Sequence, residues 1–394
     1  MFFSFVTFLV EKVKSNYYML NLNCHTIREI AHQPRMWMDT YDIVLSRKQE
    51  IEDFLSKNAI SKDTEIILTG AGSSAYIADT VVCEYLKAGY VRAKAVATTD
   101  IVSAPSYFLT SSPKLFISFG RSGNSPESVA AYEVANKFCK GSNHLIITCN
   151  PDGELAKRVE PGKDLVIVLP DGTNDRSLAM TSSFTSMLIT SLLCKNASAL
   201  AAQRSKLQAA ADFADYIVNS EVADKIRKLT DKKISRAVFL GSGPLKGIAC
   251  ESHLKLQELT DGGIVCAFDS FMGLRHGPKA VINEETLVVY LLSEDPYTRQ
   301  YELDLIEQVD KDNHPAAQVV VSVTPSGVKG ILDFEVNAPM PELLKDNEYA
   351  CAPFVVIGQL AGYFFSLNRG LSPDNPSVRG AISRVVSGVK IYKY

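Results

Sequence analysis

The sequence predicts an α/β protein made of two consecutive units, each a parallel sheet covered by helices on both faces. Short apolar runs alternate with amphipathic segments along most of the chain, the strand, helix, strand rhythm that produces parallel pairing. The opening of the first unit, ILTGAGSSAYIA, is matched in the second by FLGSGPLKGIA, each a strand, a Gly-Ser turn and a helix start. An internal duplication accounts for the match, and 394 residues are enough for two domains.

The apolar opening MFFSFVTFLV has no basic region before it and no small-residue cleavage site after it, and it is too short to span a bilayer. It is read as part of an N-terminal extension over residues 1–35, partly disordered, with Met19 as an alternative start. A polar, helix-prone stretch over residues 36–57 follows. The first unit then runs EIILTG, a helix from Ser73, AKAVAT, KLFISF, a helix from Ser125, NHLIITC and DLVIVLP. In the helix from Ser125, helical spacing puts Val129, Ala130, Val134 and Phe138 on the packing face. A helical region over residues 181–229 interrupts the strands. The second unit resumes with RAVFLGSG, a helix over residues 245–259, GIVCAF, TLVVYLL, a helix near Tyr301, QVVVSV and a last long helix over residues 354–367. The domains are accordingly set at residues 36–215 and 216–394.

A hydrophobic fraction of 46% provides ample core. The formal charge is −3 with acids and bases interspersed, which argues against nucleic-acid and membrane-surface partners. The eight cysteines, among them Cys83, Cys139, Cys194 and Cys250, lie in apolar segments without a CxxC or Cys/His cluster. That pattern disfavours a zinc site and a disulfide framework and fits a reducing cytoplasm.

The stretch SFGRSGNSPES follows the apolar run KLFI directly, so a strand leads through a small polar loop into a helix capped by Ser125 with Pro126 at its first position. The first turn of such a helix offers unpaired N–H groups and the positive end of the macrodipole. Arg121, Ser122, Asn124 and Ser125 add side-chain donors around Gly123. GAGSS, with Gly72, Ser73 and Ser74, occupies the same rim, and AMTSS supplies Thr181 and Ser182 at a third helix start. In open α/β sheets ligands sit at this rim, so the three segments can converge on one phosphate. Phosphate without a dinucleotide is the better reading, because Ala75 stands at the last glycine of the fingerprint and no acidic residue ends AKAVATT.

In ESHLKLQELT, Glu251, Lys255 and Glu258 fall on neighbouring positions of one helix face, either as solvated helix decoration or as a working group. His276 follows in DSFMGLRHGPKAVI, a loop too long for a tight turn. A carboxylate base and a histidine are what sugar isomerisation requires, one for the proton next to the carbonyl, the other for ring-oxygen and hydroxyl protons.

Together GAGSS, SFGRSGNSPES, AMTSS, ESHLKLQELT and RHGPKA resemble the sugar isomerase (SIS) domain family, in its branch of tagatose-6-phosphate ketose/aldose isomerases and galactosamine-6-phosphate deaminases. The resemblance runs from HTIREIAHQPRMW, at His25, to the terminal IYKY. It implies two tandem flavodoxin-like SIS domains, no cofactor, no metal, and a phosphosugar as substrate. By similarity with the isomerase half of glucosamine-6-phosphate synthase, Ser73, Ser74, Ser122, Asn124 and Ser125 would bind the phosphate, with residues 178–181 near the sugar. Glu258 would be the proton-transferring base, with Lys255 one turn earlier, and His276 would open the ring from a neighbouring subunit of a homo-oligomer. The chain departs from that pattern at Gly120, where the synthase has serine, and around Ser387, where it has a Schiff-base lysine. It also lacks the amidotransferase domain and its N-terminal cysteine. A phosphosugar sensor without turnover would carry a DNA-binding segment, and no basic helix-turn-helix stretch is present.

Overall fold

The computed structural model describes residues 23–58, 60–386 and 388–393. The apolar opening, Met19 and Ser387 lie outside the described residues. Helices α1 (His25–Ala31), α2 (Gln33–Ser46) and α3 (Lys48–Lys57) open the described chain. Of the extension expected over residues 1–35, the part from His25 onward is helical, with Thr26, Ile27, Glu29 and Ile30 buried. The carboxylate of Asp374 holds it by accepting from the His25 and Thr26 N–H groups at 2.9 and 2.7 Å.

The first sheet consists of β1 (Ile66–Thr69), β2 (Ala93–Ala95), β3 (Leu115–Gly120), β4 (Asn143–Thr148) and β5 (Leu165–Val168). Helix α4 (Ser73–Lys87) follows β1 and helix α5 (Pro126–Phe138) follows β3. The buried face of α5 carries Ala130, Ala131 and Ala135, while Val129 is only half-buried, so the face is turned by about one residue from the expected one. The helical stretch after β5 is broken at Asn196 and Ser220 into α6 (Ser182–Lys195), α7 (Leu200–Asn219) and a short helix, Glu221–Lys228. Along α6 every residue from Ser182 to Cys194 is buried, so this helix runs inside the molecule. The domain boundary set at 215/216 falls within α7.

The second sheet is built from β6 (Arg236–Gly241), β7 (Val265–Asp269), β8 (Thr286–Leu291), β9 (Ala317–Ser322) and β10 (Phe334–Asn337). Its helices are α8 (Pro244–Leu259) after β6, α9 (Pro296–Asn313) after β8, and α10 (Val355–Asn368). β10 is a short edge strand that the hydrophobic pattern did not announce. All strand pairs are parallel. The first sheet has the order β2-β1-β3-β4-β5, and the second, read from its β7 edge, has β7-β6-β8-β9-β10. Both are the doubly wound order whose switch point lies between the first and third strands of the unit.

The duplication extends to backbone angles. Gly72 and Gly243, which turn the chain from β1 into α4 and from β6 into α8, have φ 58°, ψ −129° and φ 56°, ψ −129°. This left-handed conformation favours glycine. Gly70 and Gly241 close the same turns so tightly that a Cβ on either would meet the helix start at 2.5 and 2.2 Å.

The two halves share one core, with Leu68 and Ile117 of the first sheet and Phe239 and Val289 of the second in a single apolar cluster. They meet where α4 crosses α8. A Cβ at Gly247 would stand 2.2 Å from the Thr80 hydroxyl and 2.7 Å from its backbone nitrogen, so glycine sets the approach. On its other side α8 meets α10, where Gly358 lies against Ser252 and Gly362 against Lys255. The helical stretch Glu348–Asn368, which ends in α10, is long and apolar enough to pass for a membrane span, yet it lies in the core.

Candidate active site

At the rim of the first sheet two helix starts face the same crevice. Ser73 and Ser74 open α4, and both are buried. Ser125 holds the N-cap position of α5 with Pro126 after it, as the sequence predicts, but its hydroxyl makes no capping bond. The Ser128 and Val129 N–H groups go instead to the Ser125 carbonyl. Among the described residues the N–H groups of Ser73 and Glu127 have no acceptor, so each helix presents a free donor at the positive end of its dipole. Gly123, at φ 63°, packs against Gly153 and keeps the loop folded back, while Ser122 accepts the Asn124 N–H at 3.2 Å.

Several residues expected at the phosphate are committed elsewhere. The Asn124 amide oxygen accepts the Glu154 N–H at 2.9 Å and so caps the short helix Glu154–Lys157. Arg121 is buried and clamps the carbonyls of Leu178 and Arg384, which makes it a brace between the loop, the sugar-side segment and the C-terminal stretch. Thr181 and Ser182 are wholly buried. The Asp175 carboxylate takes the N–H groups of Thr181, Ser182 and Ser183 at 2.9, 3.0 and 3.0 Å and the Thr181 hydroxyl at 2.9 Å. The third helix start therefore already holds an anion, its own aspartate. The Ser182 hydroxyl donates to the Glu29 carbonyl at 2.9 Å and stands 2.6 Å from His32 Nε2.

Helix α8 brings a charged cluster from the other half. Because α8 lies against α4 at Gly247, its C-terminal half reaches the first crevice, where Lys255 Nζ donates to Ser73 Oγ at 3.1 Å. The same ammonium bonds the Glu258 carboxylate and stands 3.2 Å from Glu251. Lys255 and Glu251 are buried, whereas the Glu258 side chain keeps 15% of its exposure, so Glu258 is the member of the group open to a ligand. Burial pulls the Lys255 ammonium down, but the two carboxylates outweigh it and its pKa is raised. Burial pushes the Glu251 carboxyl up to about 7 against the lowering pull of Lys255. The sequence placed Glu251 on this face without a task. In the structure it is the inner wall that holds Lys255 charged, a role legible only once α8 is known to be buried.

His276 is exposed in the loop after β7. Among the described residues no hydrogen bond or ion pair joins its ring to Lys255, Glu258 or the serines. The structure therefore brings together Gly72, Ser73, Ser74, Lys255 and Glu258, with Ser122, Gly123 and Ser125 across the rim, and leaves His276 apart from them.

Comparison with known proteins identifies the family. Residues 59–194 match the SIS domain family model. The D-galactosamine-6-phosphate deaminase AgaS of Shewanella sp. (strain ANA-3) is 38% identical over 94% of this chain and 92% of its own length. The protein of the same name from Escherichia coli is 36% identical over 94% of this chain and 96% of its own. The crystal structure of tagatose-6-phosphate ketose/aldose isomerase from Escherichia coli superposes with a TM-score of 0.85 at 36% identity, covering 94% of this chain and 96% of the other.

Proposed function

Since the chain belongs to the sugar isomerase (SIS) domain family, we propose that it converts D-galactosamine 6-phosphate and water to D-tagatose 6-phosphate and ammonia. The observation that carries the reading is the hydrogen bond from Lys255 to Ser73, which joins a helix start able to hold phosphate to a helix bearing a carboxylate base. The halves divide the labour: the first, residues 36–215, binds the phosphate, and the second, residues 216–394, supplies the proton-transferring groups.

The phosphate is held by the free N–H groups and hydroxyls at the starts of α4 and α5, through Ser73, Ser74, Ser122 and Ser125. His276 of a neighbouring subunit transfers the ring-oxygen proton and opens the sugar to its aldehyde. Glu258 then takes the C2 proton while O1 gains a proton, giving an enolamine. A proton added at C1 makes the C2 imine, and water adds to it and expels ammonia, leaving the ketose. Lys255 orients Glu258 and offers its ammonium to the oxygen that gains charge. No cofactor enters these steps. The eight free thiols support a reducing, cytoplasmic setting.

Incubation of the purified protein with galactosamine 6-phosphate and, separately, glucosamine 6-phosphate, with ammonia and ketose phosphate measured, tests the reading. Ammonia from the galacto epimer is the expected result. No ammonia from either, with interconversion of galactose and tagatose 6-phosphates, would replace deamination by plain aldose/ketose isomerisation, the activity in the name of the crystallised Escherichia coli relative. The cross-subunit role of His276 has its own test. A Glu258→Gln chain and a His276→Asn chain, each inactive alone, regain activity on mixing if the histidine serves its neighbour, and stay inactive if it serves its own subunit.

A further inference from the structure

The crevice at the carboxyl end of the second sheet is the counterpart of the phosphate site and carries the opposite chemistry. A cavity of about 620 Å³ opens there, a size suited to a small organic ligand. Where the first crevice has Ser73 and Ser74, this one has Pro244 and Leu245, which bring no hydroxyl and, at Pro244, no N–H. Where the first has Ser125 with an uncommitted hydroxyl, this one has Asp295, whose carboxylate takes the Thr298 N–H at 2.8 Å. Both helix starts have thus lost their capacity for an anion.

Carboxylates take its place. Glu84 and Asp346 line the cavity and, among the described residues, neither is in an ion pair. Between the turns after β6 and β8 stands Glu302 of α9, wholly buried. Its Oε2 accepts the Ser293 N–H at 2.8 Å and the Ser242 hydroxyl lies beside it, while Oε1 has no hydrogen-bond partner. Ser242 and Ser293 both line the cavity, so Glu302 stands behind that part of its wall. A buried carboxyl group with one oxygen unmet is costly, and a cation in the crevice offsets that cost through its field.

We propose that this second crevice binds a small hydroxylated ammonium compound, an amino sugar without phosphate being the type, with its ammonium on the Glu84, Asp346 and Glu302 side and its hydroxyls on the serine turns. The site is connected to the first by two helices running in opposite senses. Helix α4 starts at Ser73 in the phosphate crevice and ends with Glu84 and Lys87 on this cavity, and α8 starts with Gly243 and Leu245 on this cavity and ends with Lys255 and Glu258. A ligand here grips the far ends of both catalytic helices, and acts as an effector.

Isothermal titration of the full chain with D-galactosamine, with neutral D-galactose as control, tests the site. The expected result is saturable binding of the amino sugar, none of galactose, and at least tenfold weaker binding in Glu84→Gln, Asp346→Asn and Glu302→Gln, each keeping its turnover of phosphosugar. Asparagine tolerates the left-handed φ of 53° at position 346, and the two wall variants keep the test standing if the buried change at Glu302 impairs folding. Equal binding of galactose, no binding at millimolar concentration, or wall variants that bind as tightly as the parent would each overturn the proposal. The last outcome would leave the amino sugar in the phosphate crevice.

Discussion

In the first half the turn after β1 runs Gly70, Gly72, Ser73, and in the second half the turn after β6 runs Gly241, Gly243, Pro244, with φ and ψ at the second glycine agreeing within two degrees. Across the switch point the first half has Ser125 before Pro126, and the second has Asp295 before Pro296. Backbone and sheet order are the same, yet one crevice offers unpaired donors and the other carboxylates. Glycine, proline and the apolar strands set the shape. Two or three polar residues per turn set the charge of what can enter, and they changed without disturbing the shape. The comparison also separates the proposed binding from the proposed chemistry, because Glu258 reaches the first crevice on a helix that begins in the second.

The comparison breaks most visibly at the base. Glu258→Gln keeps the side chain's shape and removes its basicity, so turnover should fall by about a hundredfold to ten-thousandfold with the phosphosugar still bound. Steady-state kinetics with a separate binding measurement checks it. Asp295→Asn, at the rim of the other crevice, should leave kcat within about twofold. Normal turnover in the glutamine variant would move the base to Glu251.

Buried carboxyls stand at both crevices, Glu251 beside Lys255 and Glu302 without a lysine, and burial raises both. For Glu251 the folded value of about 7 exceeds the usual 4.5 of the unfolded chain. Between those values the folded protein keeps a proton that the unfolded chain has released, so stability falls as pH rises from 4.5 to 7. The difference is worth at most about 3 kcal/mol. Glu251→Gln should flatten the pH profile of denaturant stability over that window, and Glu302→Gln should act in the same direction. Profiles parallel to the parent's would mean that Glu251 is ionised throughout.

The crossing that links the crevices can be strained directly. Gly247→Ala sets a methyl against the Thr80 backbone nitrogen, 2.7 Å away, where no side-chain rotation relieves the clash. A loss of about 1–3 kcal/mol is expected from overpacking. Because the lysine end of α8 shifts with it, KM should rise as well, and unchanged stability and KM would show that the helices part freely.

Most of this architecture was legible in the sequence. Strand and helix alternation, the matched Gly-Ser turns and the helix start at Ser125 and Pro126 all depend on neighbours within a few positions, and each was found where expected. The site was legible in part. Ser73 and Glu258, both singled out from the sequence, are joined through Lys255, but a hydroxyl that is free and one that is already satisfied look alike in a sequence. Thr181 and Ser182 are satisfied by Asp175, and Asn124 by the Glu154 N–H, partners that only the folded loops bring near. The hold of Asp374 on Thr26 spans 348 positions and had no local signal. Glu251 carried a signal, the helix-face pattern, but its meaning depended on burial between α4 and α10.

The smallest and sharpest test grafts one residue of the second crevice onto the first. Ser125→Asp reproduces Asp295 at the same N-cap position, before the same proline. The parent serine makes no capping bond there, whereas an aspartate accepts the N–H two or three residues on and lies at the positive end of the α5 dipole. The helix should therefore gain about 0.5–1 kcal/mol, read as a higher midpoint in denaturant. The same carboxylate stands where the phosphate is to bind, and like-charge repulsion plus the loss of a free donor should raise KM at least about tenfold, with kcat at saturation little changed. Stability and affinity then move in opposite directions, which a general loosening of the loop cannot produce. An aspartate variant that is more stable and binds the phosphosugar as well as the parent would show that the anion sits away from α5, and that the start of α4 holds it alone.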